Sequence, residues 1–213
     1  MEATLLVVLG WLLGVLAGPI GDRIKRRYSA SDLQAALLVE IRELRYTMAS
    51  CVSLFSSRLG ILDHDIIAWL EPIERDYNGP DKDPRALEYL LKLKALAPAE
   101  LAAETAHQKG TLSGMSLKQY STSFLDSQMP HLGILPMDLQ QRLLRLKDDL
   151  DIFNQEVAFL NGQFDLTFRG DLGGANYAAV QTNLTNGYAN LISRARAIAV
   201  AANAIIDKYG ARR

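Results

Sequence analysis

The sequence predicts an all-α protein: an N-terminal single transmembrane helix followed by a cytoplasmic antiparallel helical bundle with long, coiled-coil-like helices. Three observations predict it. Ala3 to Gly21 is a run of nineteen residues without one charge. Two later stretches repeat apolar residues at alternating three- and four-residue steps over many turns, and no stretch alternates apolar with polar residues long enough to build a sheet. The domain division follows as residues 1–21 for the anchor, 22–30 for a basic juxtamembrane collar and 31–213 for the bundle. Long helices are expected at about 31–59, 137–168 and 175–209, with short helices between 62 and 129.

The anchor comes first. Its nineteen residues, at about 1.5 Å rise each, give roughly 28 Å of helix, close to the hydrocarbon thickness of a bilayer. Asp22 to Tyr28 then carries Arg23, Lys25, Arg26 and Arg27 against Asp22, net +3. Positive flanks stay inside, so the N-terminus is expected outside the cell membrane and the rest of the chain in the cytoplasm. A cleaved signal peptide is the competing reading, because Val15-Leu16-Ala17 carries acceptable cleavage residues, but no Lys or Arg precedes the apolar run. A buried core helix is a third reading. Gly10, Gly14 and Gly18 recur every four residues and form one stripe on which a second helix can approach closely. Pro19 pushes Gly18 away from helical angles, so a kink or helix end is expected there.

Ser29-Ala30-Ser31-Asp32 supplies capping residues for a new helix. Leu33, Leu37, Ile41, Leu44, Met48, Cys51, Phe55 and Leu59 then form its apolar stripe, and Gly60 ends it. Glu40, Arg42, Glu43 and Arg45 read as its solvated face. Asp63-His64-Asp65 opens an apolar run from Ile66 to Leu70, closed by the turn residues Asp76 to Pro80. Asp83-Pro84 starts a helix over Arg85 to Leu96, Pro98 another to about His107, and a further piece is expected over Leu117 to Met129 before Pro130, Gly133 and Pro136.

The regular part follows. Leu139, Leu143, Leu146, Leu150, Phe153, Val157, Leu160 and Phe164 form a heptad seam. After the glycine-rich connection around Gly170 to Gly174, a second seam runs Tyr177, Val180, Leu184, Tyr188, Leu191, Ala195, Ile198, Ala202, Ile205 and Tyr209. A short loop between two long helices implies an antiparallel hairpin.

Charge and composition narrow the function. Beyond the collar, Ser29 to Arg213 holds nineteen basic and twenty-two acidic residues, net −3. That balance argues against nucleic acid as a partner. The single cysteine, Cys51, lies on an apolar stripe and reads as a buried thiol. His64, His107 and His131 have no second ligand at helical spacing, and no nucleophile or phosphate-loop motif is present, so no catalytic residue, cofactor or metal is expected. Asp148, Asp149 and Asp151 fall on outward heptad positions.

The leading expectation is a membrane-anchored helical bundle acting as scaffold, sensor or interaction module. Its partners would be the lipid bilayer, an unidentified protein and further copies of itself. Gly10, Gly14 and Gly18 are the expected membrane packing residues, and Arg23, Lys25, Arg26 and Arg27 the headgroup and topology residues. Two alternatives are an oligomerising effector that perturbs or gates the bilayer through the glycine stripe, and an enzyme with a site near Asp63 to Trp69, where Asp63, His64 and Asp65 are the candidate residues.

Overall fold

A computed structural model describes the backbone of residues 2–108, 117–168 and 173–210, and within these the side chains from Ser29 onward except at 107 and 108. Among the described residues the chain is entirely helical apart from its connections. The elements are α1 (Glu2–Leu59), α2 (His64–Asp76), α3 (Ala86–Lys94), α4 (Pro98–Gln108), α5 (Ser123–Gln128), a 3-10 turn (Met129–Ile134), α6 (Met137–Leu166) and α7 (Gly174–Gly210).

The helix end expected as one alternative at Gly18–Pro19 and the helix start expected at Ser31 are both absent from the backbone, which is helical without interruption from Glu2 to Leu59. Ser29 to Asp32 offers capping chemistry, but no chain reversal separates it from the helix before it, so the caps have no end to cap. The side chains of residues 1–28, including Gly10, Gly14, Gly18 and the collar, lie outside the described residues.

Three long rods form the body. Gln34 Nε2 donates to Tyr209 O at 3.1 Å near one end, and the Phe55 and Tyr188 rings meet at 5.8 Å further along, so α1 runs antiparallel to α7. Lys208 reaches Asp138 at 2.7 Å and Arg194 reaches Glu156 at 2.6 Å, so α7 also runs antiparallel to α6. The α6 seam from Leu139 to Leu160 is buried throughout, and Val180 to Ile205 is buried on α7. Small residues set the spacing. Ala195, Ala199 and Ala202 are buried, and a Cβ at Gly187 would overlap the Leu160 side chain. Tyr177 departs from its expected seam position and is 43% exposed; it stands in the first turns of α7, beside the end of α6 past Leu160, the last buried residue of that seam.

Among the residues whose side chains are described, α7 alone is long and apolar enough to cross a membrane. Its apolar face is committed to α1 and α6, which identifies it as the central rod of this body.

The fourth side of the body is closed by an unexpected element. Leu117 to Met129 is not one helix: residues 117–122 belong to no helix and α5 begins only at Ser123. Two asparagines on α6 take over its main-chain hydrogen bonds. Asn161 accepts from Leu117 N at 3.1 Å and donates to Leu117 O at 2.9 Å. Asn154 accepts from Tyr120 N at 2.9 Å and donates to Tyr120 O at 2.6 Å. The register is physical: seven residues of helix and three of extended chain both span about 10 Å. Glu40 on α1 then accepts from Phe124 N and Leu125 N, each at 2.8 Å, and so caps α5 from outside. Leu117, Leu125, Leu132 and Leu135 complete the core between α1 and α6. A satellite core of Ala49, Leu62, Ile67, Leu70, Ile73, Leu90, Leu93 and Leu101 joins α2, α3 and α4 to the outer flank of α1.

Candidate functional site

The polar groups that the fold gathers lie on the middle of α1. The residues expected on its solvated face are largely covered, Glu40 by α5, Glu43 by the chain after α2 and Arg45 by α7. Glu40 is engaged with α5. Glu43 accepts from the Tyr77 hydroxyl. Arg45 and Tyr46 are buried, at 8% and 6% exposure, and of the four expected surface residues only Arg42 is exposed. Tyr46 stacks on Tyr77 with ring centroids 3.7 Å apart and planes 7° from parallel. That close layer needs Gly79, where a Cβ would overlap both the Tyr77 ring and the Glu43 carboxylate. Burial pushes the Tyr77 hydroxyl above its ordinary range, and the Glu43 carboxylate beside it adds to the effect. Burial also raises the Glu74 carboxyl, which Tyr46 partly opposes by hydrogen bonding. Glu74 Oε2 has no partner among the described residues.

Two cavities flank this layer. One, of about 270 Å³, lies between α1, the chain after α2 and Tyr120, and is lined by Tyr46, Thr47, Ser50, Cys51, Asp81 and Tyr120 among others. The Cys51 thiol donates to the Tyr120 hydroxyl at 3.4 Å. Burial raises the Cys51 thiol above its usual value, which keeps it protonated and a poor nucleophile.

The other cavity, of about 330 Å³, lies between α1, α2 and α7. Arg45, Ile73 and Ala199 form its buried floor, Trp69 and Val200 its walls, and Asp76 and Asp207 its exposed rim. Arg45 Nη1 donates to Asn203 Oδ1 at 2.7 Å, and Asn203 Nδ2 donates to Asp207 Oδ2 at 2.8 Å. Among the described residues Arg45 Nε has no partner, and no carboxylate lies within 4.0 Å of the guanidinium. Arg196 stands 5.3 Å from the Trp69 ring centroid, a cation–π contact at the wall of the same cavity. The arrangement holds a desolvated cation at depth, an apolar wall, and two carboxylates at the mouth.

The residues singled out in the sequence are placed elsewhere. Asp63 caps α2 by accepting from Ile66 N at 2.8 Å. His64 Nε2 lies 3.1 Å from Leu96 O and links α2 to the turn before α4. Asp65 is exposed in the first turn of α2, where a negative charge suits the helix dipole. No group of three His, Cys, Asp or Glu residues able to hold a metal occurs among the described residues.

Arg45 itself left a signal in the sequence. Leu38, Arg45 and Val52 are seven residues apart, so Arg45 occupies a core register beside the main stripe, and a charge in that register marks a covered polar position. Asn203 and Asp207 belong to the same cavity through their four-residue spacing on α7.

Comparison with known protein families, with curated proteins and with solved structures finds no match to this chain. The functional reading therefore rests on the fold and on the physics of the site.

Proposed function

We propose that this chain is a single-pass membrane protein, anchored by residues 3–21 with its N-terminus outside, whose helical body in the cytoplasm works as a sensor and interaction module. The collar of Arg23, Lys25, Arg26 and Arg27 sets the topology, and Gly10, Gly14 and Gly18 provide the face on which copies associate. One observation carries the reading: the uncharged stretch and the cavity-lining residues Arg45, Tyr46 and Cys51 belong to one helix, Glu2–Leu59. A helix is stiff along its axis, so a tilt or rotation imposed in the body is transmitted into the anchor, and the reverse.

The test is extraction and topology. Membranes expressing the full-length chain should retain it through an alkaline wash and release it only to detergent. Protease added to sealed cells should leave the body intact and degrade it after permeabilisation. Release by the alkaline wash, or digestion of the body in sealed cells, would remove the anchor or its orientation.

A further inference from the structure

We propose that the cavity between α1, α2 and α7 binds a small zwitterion of the free amino-acid class, its carboxylate on Arg45 and its ammonium at the Asp76–Asp207 rim. The assignment deepens the sensor reading above and rests on it for its biological sense.

Four features point to that ligand. Arg45 is 8% exposed, and its one hydrogen bond among the described residues goes to an uncharged amide. A buried guanidinium without a carboxylate is costly, and an incoming anion supplies the missing charge. A simple anion does not match the mouth, where Asp76 and Asp207 repel it and attract a cation. The separation fits a zwitterion: Asn203 already bridges the two sites, its Oδ1 accepting from Arg45 at 2.7 Å and its Nδ2 donating to Asp207 at 2.8 Å. An amino acid's carboxylate and ammonium reproduce that acceptor and donor pair on a span of the same size, on the order of 7 Å from guanidinium nitrogen to carboxylate oxygen. The volume, about 330 Å³, admits a small metabolite with its side chain against Trp69, Ile73 and Val200.

Occupancy would tie α1 to α7 and α2 through one molecule. A ligand that draws Arg45 towards α7 changes how α1 lies on the body, and α1 is the helix that carries the anchor.

Tryptophan fluorescence tests the assignment. The protein has two tryptophans, so full-length Trp11→Phe in mild detergent leaves Trp69, on the cavity wall, as the sole reporter. Glycine, L-leucine and L-glutamine are titrated in the millimolar range, with acetate and ethylammonium, separately and mixed, as single-charge controls. The expected result is a saturable change in Trp69 emission with at least one amino acid that the control ions do not reproduce. Arg45→Met and Asp207→Asn should each weaken binding by about tenfold or more, as expected for losing a charged hydrogen bond. If Arg45→Met does not fold, Val200→Phe, at an exposed position of the mouth, serves instead and should also weaken binding.

No response to any of the three amino acids overturns the proposal. So does an equal response to acetate alone, or an affinity unchanged by Arg45→Met or Val200→Phe. Release of the protein by an alkaline wash would defeat the membrane reading and leave the titration result standing, so the two failures are distinguishable.

Discussion

Replacing Gly187 with alanine tests the closest approach of α6 and α7 through the sign of a stability change. At an exposed helix position this substitution stabilises by up to about 1 kcal/mol, through lower unfolded-state entropy and better helix propensity. At Gly187 the new methyl would overlap Leu160 Cδ2 and stand 2.9 Å from Cδ1 and 3.0 Å from Cγ. Leu160 is 1% exposed, so it cannot swing into solvent, and forced repacking in a core costs about 1–3 kcal/mol. The net expectation is a loss of about 1 kcal/mol, opposite in sign to the exposed case.

Gly162 on α6 supplies the internal control, since a Cβ there meets nothing within 4 Å among the described residues. Gly162→Ala should therefore stabilise. The assay is urea unfolding of the full-length protein in mild detergent, followed by far-UV circular dichroism at constant m-value. Leu160→Ala alone should cost about 2–5 kcal/mol. Combined with Gly187→Ala it should cost less than the sum, because the methyl then enters the vacated space. A gain in stability for Gly187→Ala, or strict additivity with Leu160→Ala, would refute the contact.

Three further outcomes follow from named groups. Asn161→Leu leaves Leu117 N and O without their amide partner, which should destabilise by about 1–3 kcal/mol for each group left unsatisfied; hydrogen exchange at the Leu117 amide should accelerate, and unchanged exchange would contradict the clamp. Glu40→Ala removes the carboxylate that caps α5, so protection of the Phe124 and Leu125 amides should fall, with a stability loss of about 1–2 kcal/mol in the same urea assay. Asp138 is held well below the usual carboxylate range by hydrogen bonds from Lys208, Tyr209 and Arg142. A depressed native value stabilises above the unfolded pKa of about 3.9 and loses that contribution as pH falls through the native value. Asp138→Asn should accordingly be less stable than wild type at neutral pH, and the difference should close as the pH is lowered below about 4. A difference that persists unchanged in strong acid would count against the ion pairs.

The rods were legible because their periodicity is long. On α6 every seam position from Leu139 to Leu160 is buried, and Asp148, Asp149 and Asp151 face solvent as their register requires. What periodicity could not reveal was the partner of each face. Glu40, Glu43 and Arg45 read as solvated residues in the sequence, yet α5 covers Glu40, Tyr77 meets Glu43 and Asn203 on α7 meets Arg45, because a charged residue can be buried once a distant segment supplies its hydrogen bonds. The stretch 117–122 leaves its expected helix for the same reason. Its helical competitor loses because Asn154 and Asn161, more than thirty residues later, satisfy main-chain groups of Leu117 and Tyr120 outside a helix. Asp63-His64-Asp65 is dense in ionisable groups, but local geometry engages Asp63 and His64 in holding the α2 terminus and the neighbouring turn. The cavity at Arg45 needed three helices to be seen together, and only the heptad step from Leu38 to Val52 through Arg45 pointed to it.

The continuity of α1 is the claim on which the proposed role depends, and a pulsed electron spin measurement of one distance tests it. Spin labels placed by Asp22→Cys and Leu54→Cys, in a Cys51→Ala background and in lipid nanodiscs, lie at the collar and on an exposed position of the body. An unbroken helix between them, at 1.5 Å per residue, requires one narrow distribution centred near about 48 Å. A broad distribution, or a maximum many ångströms shorter, would mean that the helix breaks between anchor and body, and a body that senses could not then be coupled rigidly to the membrane.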